Sequence, residues 1–289
     1  MQKGILVVLP LTAIATAFVT YFASLYVFER PVFDDSVEQR IMSSDTLGEQ
    51  RQYLVHLPDS YQRTPQQRYP VIYVLDGSSQ DVHTAASASL MARIGVIPEV
   101  IVVGVPNVDG EGRQRDYTPP GMRQDLDIKN SSEGRADVFL AFMRDELIPE
   151  IDSRYRTAPT RTLAGNSRGG LFVVYALAAD PSLFDAYIAN SPALWRDDSE
   201  MVRRLDRSLA ENPTLGGRLF LSIGSDENDK MRSAFDGAVA VLQDHAPPAL
   251  HWRAQNTYGA EHGDNAELAT PVALRWLFDP KWAHAGTTQ

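Results

Sequence analysis

Apolar and polar positions along this chain follow two rhythms in turn. Residues 51–57 alternate polar and apolar, as a half-buried strand does, and stop at Pro58. Residues 69–75 and 100–105 are unbroken apolar runs, the pattern of strands covered on both faces. Further strands are predicted over 160–164, 186–190, 218–222 and 250–254. Between them the spacing turns helical. Phe139, Phe142, Leu147, Ile148 and Ile151 mark a helix over 136–151, an apolar run marks another over 171–179, and 201–209, 231–245 and 268–277 complete the set. Strands and helices in alternation predict an α/β domain over 46–280, with a mostly parallel central sheet and helices on both faces.

The two ends break this rhythm. No side chain from 4 to 28 is charged, and about 20 apolar residues suffice to cross a membrane as a helix. With Lys3 before the segment and Tyr21 and Tyr26 suited to an interface, residues 1–28 are predicted to be a membrane anchor. A cleaved signal peptide is the alternative, with Ala15-Thr16-Ala17 as its small-x-small site, but the sequence stays apolar through Phe18, Val19, Tyr21 and Phe22. An anchored domain is expected to face a periplasm or the cell exterior, and a cleaved one to be secreted. Residues 29–45 are polar and read as a tether or a first edge strand, and 281–289 as a polar tail.

Composition narrows the chemistry. A formal charge of −10 with no basic run argues against nucleic acid as a partner. The absence of cysteine removes disulfides, thiolate metal sites and cysteine nucleophiles together. There is no H-E-x-x-H, P-loop or dinucleotide fingerprint, so neither a metal nor an organic cofactor is expected. Nothing in the sequence speaks to oligomeric state.

What remains is Gly165-Asn166-Ser167-Arg168-Gly169-Gly170, a G-x-S-x-G motif between a strand and a helix. A serine pinched at that junction is the nucleophile elbow of an α/β-hydrolase, which makes Ser167 the candidate nucleophile. In this fold the acid and then the histidine follow the serine along the chain. Of the six histidines, His56 and His83 precede Ser167, His245 closes a helix, His251 lies in a strand and His284 in the tail. His262 remains, in a glycine-flanked loop between the last strand and the last helix, and is the candidate base. The acid is expected after the 218–222 strand, where Asp226, Glu227 and Asp229 all stand. An oxyanion hole needs two backbone N–H groups, one from Arg168 and the other from the Asp76-Gly77-Ser78 turn.

These residues and their neighbours resemble the esterase family of α/β-hydrolases that includes enterochelin-type siderophore esterases, S-formylglutathione hydrolases, feruloyl and acetylxylan esterases and mycolyltransferases. The matching pieces are Tyr73-Val74-Leu75-Asp76-Gly77, Gly104-Val105-Pro106-Asn107, Arg115-Asp116-Tyr117-Thr118-Pro119 and Glu146-Leu147-Ile148-Pro149-Glu150-Ile151-Asp152. They continue through the elbow to Asn190-Ser191-Pro192-Ala193-Leu194-Trp195, Gly224-Ser225-Asp226-Glu227 and Glu261-His262. The resemblance implies Ser167, His262 and Glu227 as nucleophile, base and acid, with Asp226 as the alternative acid. It also implies Arg168 and Ser78 at the oxyanion positions, and Asp76, Arg115, Asp116 and Trp195 near the substrate. Asn166 departs from the family, in which histidine is more usual before the serine.

The expected activity is ester hydrolysis through an acyl-enzyme, with a siderophore-type lactone fitting a domain tethered outside the cytoplasm. An acyltransferase or a feruloyl or acetyl polysaccharide esterase fits the same fold. The rival of another class is a catalytically idle domain that only binds at the membrane. Residues 110–134, long, polar and glycine-rich, are expected to shape specificity as a lid.

Overall fold

The computed structural model describes residues 37–280. The expected anchor, the first part of the tether and the polar tail lie outside them. Among the described residues, no helix is long and apolar enough to cross a membrane.

Eight strands form one sheet: β1 (Val37–Ser44), β2 (Glu49–His56), β3 (Tyr69–Leu75), β4 (Ile101–Val105), β5 (Thr157–Asn166), β6 (Ala186–Asn190), β7 (Gly217–Gly224) and β8 (Leu250–Thr257). Their order is β1-β2-β4-β3-β5-β6-β7-β8. β2 runs antiparallel to both its neighbours, and from β4 to β8 every pairing is parallel. Residues 37–44 thus belong to the sheet as its edge strand, the second of the two readings given for 29–45, and the domain begins before residue 46.

The register explains why the central strands read as unbroken apolar runs. Tyr73, Leu163, Tyr187 and Leu219 stand abreast across β3, β5, β6 and β7, all fully buried. They face one core, while Ile72, Val74, Ala164, Ile188 and Phe220 face a second core on the other side. Burying a Leu, Ile, Val or Phe among them contributes about 1.5–3 kcal/mol, so both faces demand apolar residues and the period-two signal disappears.

The second core is closed by α1 (Gln80–Arg93), through Ala88 and Met91, and by the last helix, α8 (Asn265–Leu277), through Ala269, Ala273, Leu274 and Leu277. The first lies under α5 (Arg168–Ala179), α6 (Arg196–Glu211) and α7 (Asp229–His245). α2 (Gly110–Tyr117) opens the stretch read as a lid. The single helix expected over 136–151 is α3 (Ala136–Phe142) and α4 (Ile148–Arg154) joined by a π turn at Met143–Leu147. Pro149 has no N–H for the ordinary helical bond, and the wider turn accommodates that loss. α6 begins earlier than its apolar spacing because Asp197, Asp198 and Ser199 form a left-handed turn with φ of 46°, 54° and 62° before the amphipathic part.

Candidate active site

Every parallel strand delivers its C-terminal end to the same edge of the sheet, and the loops there make the site. Ser167 follows the last residue of β5, and its φ of 57° and ψ of −115° belong to no regular element. Three backbone bonds hold that conformation: Ser167 N–H donates to Asn190 O (2.9 Å), and Ser167 O accepts from Leu171 and Ala193 N–H (3.0 Å each). Strain of this kind persists only where the surroundings impose it. A Cβ on Gly165 would lie 2.6 Å from the Gly169 carbonyl, so strand and helix meet this closely only through glycine.

The loop after β8 brings His262 to the serine, with Nε2 3.0 Å from Ser167 Oγ. His262 Nδ1 faces Glu227 Oε2, also at 3.0 Å. Glu227 sits in the loop after β7 with its side chain fully buried, while 43% of the imidazole remains open to solvent. Burial works to raise the Glu227 carboxyl's pKa. Hydrogen bonds from His262, Ser191 and the Gly224 N–H outweigh it and hold the group below its ordinary range. Asp226 is exposed, with its carboxylate on the Ser225 hydroxyl, and Asp229 opens α7 with its carboxylate on Arg232. Neither stands at His262.

Beneath Glu227 lies a buried polar chain. Ser191 Oγ donates to Glu227 Oε1 (2.6 Å) and accepts from Asn265 Nδ2 (2.8 Å). Asn265 also donates to Ser222 Oγ (3.0 Å), which donates to Asn190 Oδ1 (2.7 Å). All these residues are at least 95% buried. Sequence reasoning missed this chain as a feature of the site. Its signal was available, since Asn190 ends the otherwise apolar β6 and Ser222 interrupts the apolar run 219–223 of β7.

The oxyanion candidates stand at a helix start and in a turn. Arg168 is the first residue of α5, where a helix N–H has no partner inside the helix. Ser78 is exposed, in a turn with φ of 76°. Other expectations change. Asp116, read as a substrate neighbour, is buried and bound by the Arg51 and Arg115 guanidiniums, and Arg115 also holds Glu49 (2.8 Å). These groups brace β2 against α2, because a buried carboxylate needs cationic partners inside the fold. Asp76 likewise turns its carboxylate to Arg113 and Asn107. Asn166 makes no contact in the Glu227–His262–Ser167 line, and its Oδ1 is buried without a hydrogen-bond partner.

Trp195 does line open space, a groove of about 620 Å³ shared with Arg123, Leu126, Val202 and Lys230. Lys230 Nζ lies 6.0 Å from the centre of its ring. Beside it, Arg168 and Arg196 both donate to Gln124 O (2.9 and 3.0 Å), and neither forms an ion pair among the described residues. Burial, with Arg196 and Arg113 nearby, pushes the Arg168 guanidinium down to about 10.

The family described as "Putative esterase" matches residues 44–272. The chain belongs to this esterase family. It is similar to the ferri-bacillibactin esterase BesA of Bacillus subtilis, at 31% identity over 86% of this chain and 91% of that protein. The siderophore enterobactin esterase of Emericella nidulans is 31% identical over 56% of this chain and 59% of its own. Among solved structures, an IroE-like serine hydrolase from Shewanella oneidensis superposes with a TM-score of 0.76 at 29% identity, covering 84% of this chain and 80% of that one. The fold is that of the α/β-hydrolases, and the chain is an ester-hydrolysing enzyme.

Proposed function

We propose that this protein is a serine esterase that opens the lactone of a siderophore, and that Ser167, His262 and Glu227 are its nucleophile, base and acid. The observation that carries the reading is the unbroken line Glu227 Oε2–His262 Nδ1 and His262 Nε2–Ser167 Oγ, each contact at 3.0 Å. His262 takes the hydroxyl proton as Ser167 attacks the ester carbonyl, and the N–H groups of Arg168 and Ser78 receive the oxyanion. The alcohol leaves with the proton from His262, and water activated by the same imidazole releases the acid. Glu227 keeps the imidazole in the tautomer that presents a bare Nε2 to the serine.

Two features support a siderophore over a neutral ester. The similar proteins named above act on bacillibactin and enterobactin by their names. Arg168 and Arg196 both donate to Gln124 O near the Trp195 groove, and neither is in an ion pair among the described residues, which suits an anionic substrate such as a ferric catecholate complex. A membrane anchor over 1–28 with the domain outside the cytoplasm is part of the same proposal, because such a substrate arrives from outside. A carbonate wash that strips the protein from membranes would sink the anchor alone.

The substrate test compares a ferric triscatecholate trilactone with feruloyl and acetyl sugars. The trilactone is expected to lead in kcat/KM by about 100-fold. Equal or better turnover of a sugar ester would overturn the substrate class and favour a polysaccharide acyl esterase.

A further inference from the structure

α1 turns Asp81, Thr84, Ala88 and Met91 inward, onto the second core. Val82, Ala86 and Leu90, with Ile94 just past the helix end, fall on the opposite side at four-residue spacing, which keeps them in one row. Val82, Leu90 and Ile94 are 48%, 55% and 66% exposed. α8, which packs against α1, exposes Leu268 as well. Single exposed apolar side chains are ordinary on a protein surface, but a contiguous row marks an interface. Charge avoids the same stretch. From 82 to 98 the only Asp, Glu, Lys or Arg is Arg93, on a chain with 37 acidic and 27 basic residues.

The place where the chain enters the domain says what the row meets. β1 begins at Val37, which pairs with His56 at the end of β2. His56 lines a small cleft with Ala92 and Arg93, so the entry lies beside the C-terminal end of α1. The uncharged stretch of the sequence stops at Phe28, and only the eight residues 29–36 separate it from Val37. Fully extended, that linker reaches at most about 29 Å. A bilayer that takes up residues 4–28 is therefore never far from the row. Such a tether raises the effective concentration of the surface, so a weak apolar contact is enough to hold it. A second copy of the chain fits less well, since a stable protein interface engages about 20–30 residues a side and this row offers a handful.

We infer that the outward face of α1 docks the domain on the bilayer that anchors the chain, with Val82, Ala86, Leu90 and Ile94 against lipid and Arg93 at the headgroup phosphates. The inference rests on the membrane anchor proposed over 1–28. α5, α6 and α7 cover the other face of the sheet, so docking turns the groove at Trp195 away from the membrane and toward water. The domain lies flat on the surface and still receives a soluble substrate.

The chain has no cysteine, so a single introduced thiol can be labelled alone. The test reconstitutes the full chain in phosphatidylcholine vesicles, with an environment-sensitive fluorophore on Leu90→Cys in α1 or on Ala240→Cys, exposed on α7. Doxyl-labelled lipid is expected to quench the Leu90→Cys label at least about threefold more than the Ala240→Cys label, and aqueous iodide to rank them the other way. Equal quenching by lipid at the two positions overturns the inference. Protection from iodide without quenching by lipid also overturns it, and disulfide crosslinking of unlabelled Leu90→Cys chains would then name a second copy as the occupant. Adding Ile94→Asp to the Leu90→Cys chain is expected to lower its lipid quenching toward the Ala240→Cys level, and unchanged quenching ends the inference. A full chain that does not float with the vesicles overturns the anchor and this inference together. A chain that floats with a wet Leu90→Cys label overturns this inference alone.

Discussion

His262 lies 95 residues beyond Ser167 in the chain and 3.0 Å from it in space, Nε2 to Oγ. That contact makes both residues parts of one machine, so their removal is expected to be non-additive. Ser167→Ala and His262→Ala should each lower kcat by at least about 10⁴-fold, and the double variant little further. Steady-state turnover checks this, together with fluorophosphonate labelling that survives in wild type and vanishes in Ser167→Ala. Multiplying losses in the double variant would break the assignment.

Glu227 and Asp226 are adjacent, yet only one is buried against the imidazole. Glu227→Gln is expected to lower kcat about 10⁴-fold, because an amide supports the wrong tautomer. Asp226→Asn is expected to stay within about twofold of wild type. The reverse ranking would transfer the acid's role to Asp226.

Titration gives an independent check. The folded Glu227 carboxyl lies below its ordinary value of 4.5, so its ionised form contributes stability that is fully present above pH 4.5. That contribution is lost as pH falls through the lowered value. Glu200, held to about 2 by Arg204, Arg207 and Arg203, adds to the same acid limb. Thermal melts of wild type should therefore fall more steeply than those of Glu227→Gln as pH drops below 4.5. Parallel curves would show that the carboxylate's hydrogen bonds carry no linkage.

The polar chain under Glu227 is expected to be costly to break. Asn265→Ala leaves Ser191 and Ser222 each short of a buried donor, at about 1–3 kcal/mol for each unsatisfied group. Denaturant unfolding should show that loss, with a fall in kcat because Ser191 no longer holds Glu227 Oε1 as firmly. Unchanged stability would mean that water replaces the amide.

Much of this was legible before any coordinates, for physical reasons. The central strands were readable because both their faces are buried, and the elbow because its close approach tolerates only glycine at 165. The order serine, acid, histidine then pointed to His262 by elimination, since the other histidines lay before the motif, inside regular elements or in the tail. Choosing among Asp226, Glu227 and Asp229 was beyond periodicity, because burial in a loop leaves no repeating pattern. α1 and α2 were invisible for a related reason: α1 buries Asp81 and Thr84 beside Ala88 and Met91, and α2 buries Gly112, Asp116 and Tyr117. Their inward faces carry polar groups satisfied by partners far away in sequence. Asp76, Arg115 and Asp116 look exposed as a string of charges, yet they are internal fasteners.

The order in which the chain brings its parts to the sheet has a consequence for synthesis. Ser167 and the proposed oxyanion amides of Arg168 and Ser78 belong to the first 168 residues, whereas Glu227 and His262 lie in the loops after β7 and β8 and Asn265 opens the last helix. A ribosome-bound chain exposes its serine well before it owns a base, because domains assemble as the C-terminal elements emerge. Truncation before β8 docks leaves a hydroxyl with nothing to deprotonate it. Esterase activity therefore doubles as a signal that the last part of the molecule has folded, and a pulse of fluorophosphonate during translation would time that event.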